Sequence, residues 1–380
     1  MAFVAVLVSS MAASSSARAQ SYSLLYSFRC GTDGAYDNSG VVRDAAGNLY
    51  GTTTRGGTYG NGAVYELSAS GTETVLHSFG GNPTDGYYPV AALVRDATGN
   101  LFGTTVYGGA FGGGAVFKVT ASGAETILYS FTGGADGDSP NGLVEDKAGN
   151  LYGATVYGGA SGNGVVFKLT PGGVETVLHS FAGPPADGTG PAAALVRDTT
   201  GNLYGTTYYG GASGDGIVFK VTASGVETVL HSFTGTPGDG SNPAGGLIRD
   251  TAGDLFGSTS FGGTSNIGTV FEISAGGVES LRHEFTGGTT DGNDPAVTLA
   301  GDSAGNLYGT TLLGGAGSFG VVYELSKTGT QTILHSFNVG IPNDGHFSYS
   351  RLALDGTGSI YGTTYVGGVS RCGAVFKYTP

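Results

Sequence analysis

Seven aspartates stand directly before a glycine at near-regular intervals: Asp33, Asp85, Asp136, Asp187, Asp239, Asp291 and Asp344. Carboxylates so placed can contact a ligand, hold a cation, or simply open a tight turn. A second set, Asp44, Asp96, Asp146, Asp198, Asp250, Asp302 and Asp355, precedes Gly-Asn-type turns and reads as Asx-turn chemistry. Five of the six histidines, His77, His179, His231, His283 and His335, share one repeat position, with Tyr26 and Tyr129 as equivalents. Such recurrence reads as structure rather than catalysis. The residues that break the pattern carry more information. Arg351 occupies a position held elsewhere by Gly40, Ala92, Gly142, Ala194, Gly246 and Thr298. His346, Phe347 and Tyr349 precede it where other copies carry Pro and small residues, and Tyr87 and Tyr88 are a matching aromatic excess. Tyr107, Tyr157 and Tyr209 recur in Gly-rich loops suited to stacking on sugars or holding a peptide.

Other chemistries find little support. Ser-His adjacency occurs only as a repeated His-Ser step, and no nucleophile–base pair stands out. No Gly-Lys-Ser/Thr phosphate loop is present. The sequence shows no zinc-type His/Cys cluster and no bound cofactor is expected. Asp136-Gly137-Asp138 and Asp291-Gly292-Asn293-Asp294 offer closely spaced oxygens, so calcium is the one metal expectation, although neither stretch fits the twelve-residue calcium loop.

The elements that must position these residues follow from internal repetition. Gly47-Asn48-Leu49-Tyr50-Gly51-Thr52-Thr53 recurs from Gly99, Gly149, Gly201, Gly253, Gly305 and Gly358, a spacing near 52 residues. Each unit holds four β-like runs, here A to D. In the second unit they are Leu93–Asp96, Leu101–Thr105, Ala115–Val119 and Glu125–Phe131, separated by Gly, Asn, Asp and Ser. With 74 glycines among 380 residues, helices would be penalised at every turn, and no collagen triplet persists. Four antiparallel strands at this period are the mark of a propeller blade. The expected fold is all-β: a seven-bladed β-propeller over residues 20–380. A D-type run at Tyr22–Phe28 precedes any A strand, and the chain stops after a C-type run at Ala374–Thr379. The last blade should therefore be completed by the N-terminal strand, which places Cys30 beside Cys372 and predicts a disulfide between them.

The unit Asp-x-x-Gly-Asn-Leu-Tyr-Gly-Thr-Thr … Gly-Gly … Gly-x-Val-Phe-Lys-Leu … Glu-Thr-Val-Leu-His-Ser-Phe resembles the GloVer tandem repeat of exported bacterial "choice-of-anchor" proteins, in seven copies. The Asp-x-x-Gly-Asn-Leu-Tyr turn is more distantly similar to that of NHL-type propellers. The resemblance implies export, often with a C-terminal surface anchor, and brings no activity with it.

The charge balance points the same way. Sixteen Lys and Arg against 29 Asp and Glu give a net charge of −13, which disfavours nucleic acid and anionic membrane surfaces. Residues 1–19 read as a signal peptide: an apolar run from Phe3 to Val8, then Ala17-Arg18-Ala19 as a cleavage motif. No membrane-inserting segment is expected beyond it, and the mature chain is expected to be a monomer in the periplasm or outside the cell.

In a propeller the D–A connections and the B–C loops share one face. The expected function is non-catalytic binding of an extracellular glycan or protein on that face. The residues expected to serve it are Arg351, His346, Phe347, Tyr349, Tyr87, Tyr88, Tyr107, Tyr157, Tyr209 and the Asp-Gly carboxylates Asp85, Asp136, Asp187, Asp239, Asp291 and Asp344. An enzyme acting on a polysaccharide or ester at the channel mouth is the alternative, and a structural cell-surface or matrix protein the third reading.

Overall fold

The computed structural model describes residues 20–380 apart from 83, 192, 236, 296, 339 and 341–343. The expected signal peptide at 1–19 lies outside the described residues. Seven antiparallel sheets follow one another around a central channel. In blade 2 the order from the channel outward is A (Val94–Arg95), B (Leu101–Thr105), C (Ala115–Val119) and D (Glu125–Ser130). Six of the A strands span only two residues, shorter than the sequence suggests, whereas that of blade 3 runs over Asp138–Glu145.

Strand B is buried on both faces, for each blade is sandwiched between two others. This explains the glycine in Leu-Tyr-Gly-Thr-Thr. A Cβ on Gly103 would collide with the Phe117 ring of the neighbouring C strand. The core between blades is an aromatic ladder. Phe79, after strand D of blade 1, packs edge-on to Phe117 of blade 2 at 5.0 Å. Phe131 meets Phe167 at 5.1 Å and Phe181 meets Phe219 at 5.0 Å in the same way. All these rings are fully buried, and edge-to-face contact adds to their area burial.

Closure follows the predicted scheme. The N-terminal strand Ser21–Ser27 pairs antiparallel with Ala374–Thr379, with Ser27 opposite Ala374. It forms the outer strand of blade 7, next to Ile360–Thr364 and Ala353–Leu354. Cys30 and Cys372 are disulfide-bonded, with Cα atoms 5.3 Å apart. No helix among the described residues is long and apolar enough to cross a membrane.

Every pairing of C with a D strand from its own repeat carries a bulge at one place; in blade 2, Phe117 pairs with Ile127 and Val116 with Tyr129, leaving Leu128 unpaired. The closing blade has the same shift between Leu24 and Tyr26. Bulges of this kind re-aim side chains. Here they precede the His or Tyr that reaches the D–A connection.

Candidate ligand-binding face

The D–A connections fold around their aspartates. In blade 4, Asp239 accepts N–H bonds from Thr234 at 2.9 Å and Gly240 at 2.7 Å, and a hydroxyl bond from Thr234. His231 stands 3.2 Å away. Asp187, Asp291 and Asp344 repeat the pattern with His179, His283 and His335. At Asp136 and Asp33 a phenol takes the place of the imidazole: Tyr129 donates at 3.0 Å and Tyr26 at 2.8 Å. Hydrogen bonds, acting against burial, hold the carboxyls of Asp136, Asp187 and Asp239 below the usual range and that of Asp291 near about 2.

Asp85, Asp136, Asp187, Asp239, Asp291 and Asp344, expected as ligand contacts on the loop face, thus spend hydrogen-bonding capacity on the turns that carry them. Five of the six are buried, and all point into the blade edge. A turn whose N–H groups lack other partners draws the carboxylate inward, because an unmet buried donor is costly. Asp136 and Asp291 likewise accept hydrogen bonds from protein donors. The Asx-turn reading of the other set holds: Asp96 accepts from the Asn100 backbone at 2.8 Å, and Asp198 from Asn202 at 2.9 Å.

Three residues after each of the seven Asp-Gly aspartates, the backbone turns left-handed. The seven occupants are Tyr36, Tyr88, Ser139, Gly190, Asn242, Asp294 and Phe347, with φ between 55° and 67°. Only Gly190 adopts this conformation without a Cβ penalty. The backbone is pinned from both sides. Tyr88 N–H donates to the Asn61 carbonyl of the preceding blade, and its own carbonyl accepts from Val106. Strained residues that persist because their surroundings over-determine them are signs of function. Here three of the seven are bulky aromatics, and they sit on consecutive connections: into blade 7 (Phe347), blade 1 (Tyr36) and blade 2 (Tyr88).

Around them the loop face carries an arc of rings. Tyr36 lies 5.0 Å from Tyr365, and Tyr365 lies 5.8 Å from Tyr349. Arg55 stands over Tyr88 at 5.7 Å. Tyr107 is 6.0 Å from Tyr88 and 5.5 Å from Tyr87. Tyr87, Tyr107 and Tyr349 are each more than 40 % exposed, as are Tyr157 at 59 % and Tyr209 at 56 %. The sequence-based list thus names real surface aromatics, but it disperses them. Tyr209 pairs with Tyr208 at 4.6 Å. His346 and Phe347 flank Phe319 at 5.3 and 5.6 Å and are half-buried. Tyr36, Tyr365 and Arg55 complete the arc and were not on the list. Tyr36 and Tyr365 were legible only as large residues at loop positions, since their convergence depends on ring closure.

The arc borders a channel cavity of about 690 Å³. Tyr349 and Arg351 line it with Asn38, Asn141 and Thr298, among walls of Ala and Val. Arg351 is solvent-exposed within the channel yet crowded by protein, and this desolvation draws its pKa down. Among the described residues it has no carboxylate within 4 Å. It does not neutralise the Asp-Gly carboxylates. His346 does not line the cavity, and among the described residues Glu145 is the one carboxylate that does.

The closing junction holds a polar network that the sequence did not announce. Asp37 is fully buried where five of the six other copies carry Pro and one carries Ser348. Tyr65 donates to it at 2.6 Å, Thr363 at 3.1 Å and the Ser39 backbone at 3.0 Å. Burial outweighs these bonds and pushes its carboxyl up to about 6. The signal available was the loss of Pro at that position in Tyr-Asp-Asn-Ser.

These features define a seven-bladed propeller with one differentiated loop face. The chain belongs to the Gloeobacter/Verrucomicrobia repeat family, whose profile matches residues 11–216, 120–301 and 192–380 in overlapping stretches. A search of curated proteins finds no match. Among solved structures, a streptogramin B lyase is similar at 13% identity and a TM-score of 0.59, covering 95% of this chain and 97% of that one. An extracellular domain from B. thetaiotaomicron matches at 12% identity and a TM-score of 0.56, covering 91% of this chain and 39% of that one. The surface component PorZ of the type-IX secretion system of Porphyromonas gingivalis matches at 16% identity and a TM-score of 0.54, covering 89% of this chain and 46% of that one. At these identities the likeness concerns the fold alone.

Proposed function

We propose that the protein is an exported, non-catalytic binding module that holds a glycan on its D–A/B–C face. The observation that carries this reading is the placement of Phe347, Tyr36 and Tyr88 in left-handed backbone on three consecutive connections, beside the exposed rings of Tyr349, Tyr107 and Tyr87. A run of rings with polar groups at its edge suits flat sugar faces and their hydroxyls. Arg55 and Arg351 supply donors on one side. Tyr208 and Asp294 supply a phenol and a carboxyl on the other, and the Oδ1 of Asp294 is buried without a partner. Burial raises the Asp294 carboxyl above its ordinary value, against a hydrogen bond from Ser260.

Export is supported by the disulfide, which persists in oxidising compartments. The enzyme reading draws less support, since Arg351, His346 and a pair of carboxylates do not converge in the channel. The test is a glycan array probed with the mature chain, followed by titration calorimetry on any hit. Tyr88→Ala and Arg351→Ala should each weaken binding at least tenfold with the fold intact. Loss of neither, or turnover of the bound sugar, would overturn the reading.

A further inference from the structure

At the rim, each junction between blades brings a third residue to the His–Asp or Tyr–Asp pair. It comes from the start of the next blade's outer strand. It is Glu at five junctions (Glu73, Glu125, Glu175, Glu227 and Glu279), Gln331 at one and Tyr22 at the closing one. In all five glutamates Oε1 is buried with no hydrogen-bond partner. The two exceptions reveal what the position requires. Gln331 Nε2 donates to Asp291 at 2.9 Å, and the Tyr22 phenol, a potential donor, is buried beside Asp344. Both can donate. A glutamate beside the same aspartate needs either a proton or a cation between the two carboxylates.

The junctions divide by their first residue. Where it is Tyr26 or Tyr129, a phenol stands in place of the imidazole, and burial beside Asp33 or Asp136 lifts Glu73 and Glu175 to about 7, at Glu73 against the pull of Arg29. A proton serves there. Where it is His, an imidazole nitrogen joins the two carboxylates. His77, Asp85 and Glu125 place one ligand atom each within 4.8 Å of one another, as do His179, Asp187 and Glu227, and His231, Asp239 and Glu279. The His–Asp separations are 3.4, 3.4 and 3.2 Å. Metal–ligand bonds of about 2.0–2.1 Å put tetrahedral ligand atoms roughly 3.3 Å apart. Blade geometry alone sets this spacing, since His283–Asp291 and His335–Asp344 share it at 3.5 and 3.2 Å. What marks out three junctions is the added carboxylate.

The first of them is the most open to a cation. His77 Nε2, Asp85 Oδ1 and Glu125 Oε1 are all buried and none makes a hydrogen bond, His77 Nε2 facing the other Asp85 oxygen, Oδ2, at 3.4 Å. The Asp85 side chain is only 4 % exposed. Its other oxygen is anchored by the Gly80 N–H at 2.8 Å, which fixes the carboxylate and leaves Oδ1 free. A recess of about 410 Å³ lined by Tyr59, Asn82 and Thr84 opens onto the cluster, with room for water to complete a coordination shell.

We propose that His77, Asp85 and Glu125 bind a first-row divalent cation of the zinc class, clamping the outer strands of blades 1 and 2, and that the triads at Glu227 and Glu279 repeat the site. One imidazole and two carboxylates are borderline to hard donors suited to such ions. The experiment uses tag-free mature protein, stripped with chelator and titrated with Co(II), read by its visible absorption and by calorimetry, with Zn(II) as competitor. The expected result is three equivalents displaced by zinc, with a rise in melting temperature. Glu125→Gln copies the arrangement at Gln331 and should fold, yet remove one equivalent; Glu125→Gln/Glu227→Gln/Glu279→Gln should remove all three. No uptake by the wild type at millimolar Co(II), or uptake that survives the triple variant, would overturn the proposal and leave these glutamates to be neutralised by protons.

Discussion

Asp85 and Tyr88 lie three residues apart on one connection, yet they belong to different orders of design. The first position is aspartate in all seven copies, buried in five and half-buried in two, and in each bonded to the backbone that surrounds it. The second holds Tyr, Ser, Gly, Asn, Asp or Phe at an unchanging left-handed φ. Where the repeat is uniform, the side chain answers a need of the frame. Where side chains differ on an identical backbone, the frame has been freed from dictating them. A rigid seven-fold scaffold can therefore carry an asymmetric surface, with rings gathered at blades 7, 1 and 2.

That contrast can be broken or sharpened by measurement. The largest effect is expected at the uniform position. Asp239→Ala would leave the Thr234 and Gly240 N–H groups and His231 unpaired, and should cost about 3–5 kcal/mol in denaturant unfolding. A cost below about 1 kcal/mol would mean the carboxylate is not the frame's anchor. Next comes the closure. Cys30→Ser with Cys372→Ser should lower stability by about 2–4 kcal/mol. Limited proteolysis should then cut first in blade 7 rather than uniformly.

At the variable position the sign reverses. Tyr88→Gly relieves the left-handed strain and should stabilise the fold by about 1 kcal/mol, while glycan affinity falls. Destabilisation with unchanged binding would erase the distinction between the two positions. Tyr107→Ala removes only exposed surface and should move stability by less than about 0.5 kcal/mol.

The smallest effect is a pH dependence. Glu73 and Glu175 rise to about 7, and Asp37 to about 6, above their unfolded values. Their contribution is full below the unfolded pKa and is lost as pH climbs through 6 to 7. Asp146 and Asp291 are held near about 2 and contribute above their unfolded pKa, so their share is lost as pH falls toward 2. Melting temperature in metal-free buffer should therefore peak near pH 5 and decline by a few degrees toward pH 8. Glu175→Gln should flatten the alkaline limb, and an unchanged limb would remove the proton from the Tyr129–Asp136 junction.

Much of the frame could be read along the chain. The blade count, the order of the strands within a blade, the closing strand and the Cys30–Cys372 bond all follow from a period near 52 and from what the two ends lack. Arg351 and Tyr349 were legible as departures from that period, and both line the channel. The Asp-Gly carboxylates were legible as positions but not as roles. Sequence cannot say whether a carboxylate turns toward solvent or toward its own loop, because that depends on which N–H groups the folded turn leaves without partners.

The period, the alternation of turn and strand residues and the mismatch of the termini are local or repetitive properties, and the chain by itself determined them. Meetings between repeats are different. Glu125 reaches His77 and Asp85 only because one blade's outer strand lies against the next. Tyr36 meets Tyr365 only because the first connection and the last blade are brought together by closure. Asp37 is buried against Thr363, 326 residues away, for the same reason. Such contacts are set by the packing angle between sheets and by the closing of the ring. No spacing along a single repeat encodes either, and so the tertiary structure alone decided where the chemistry of this molecule converges.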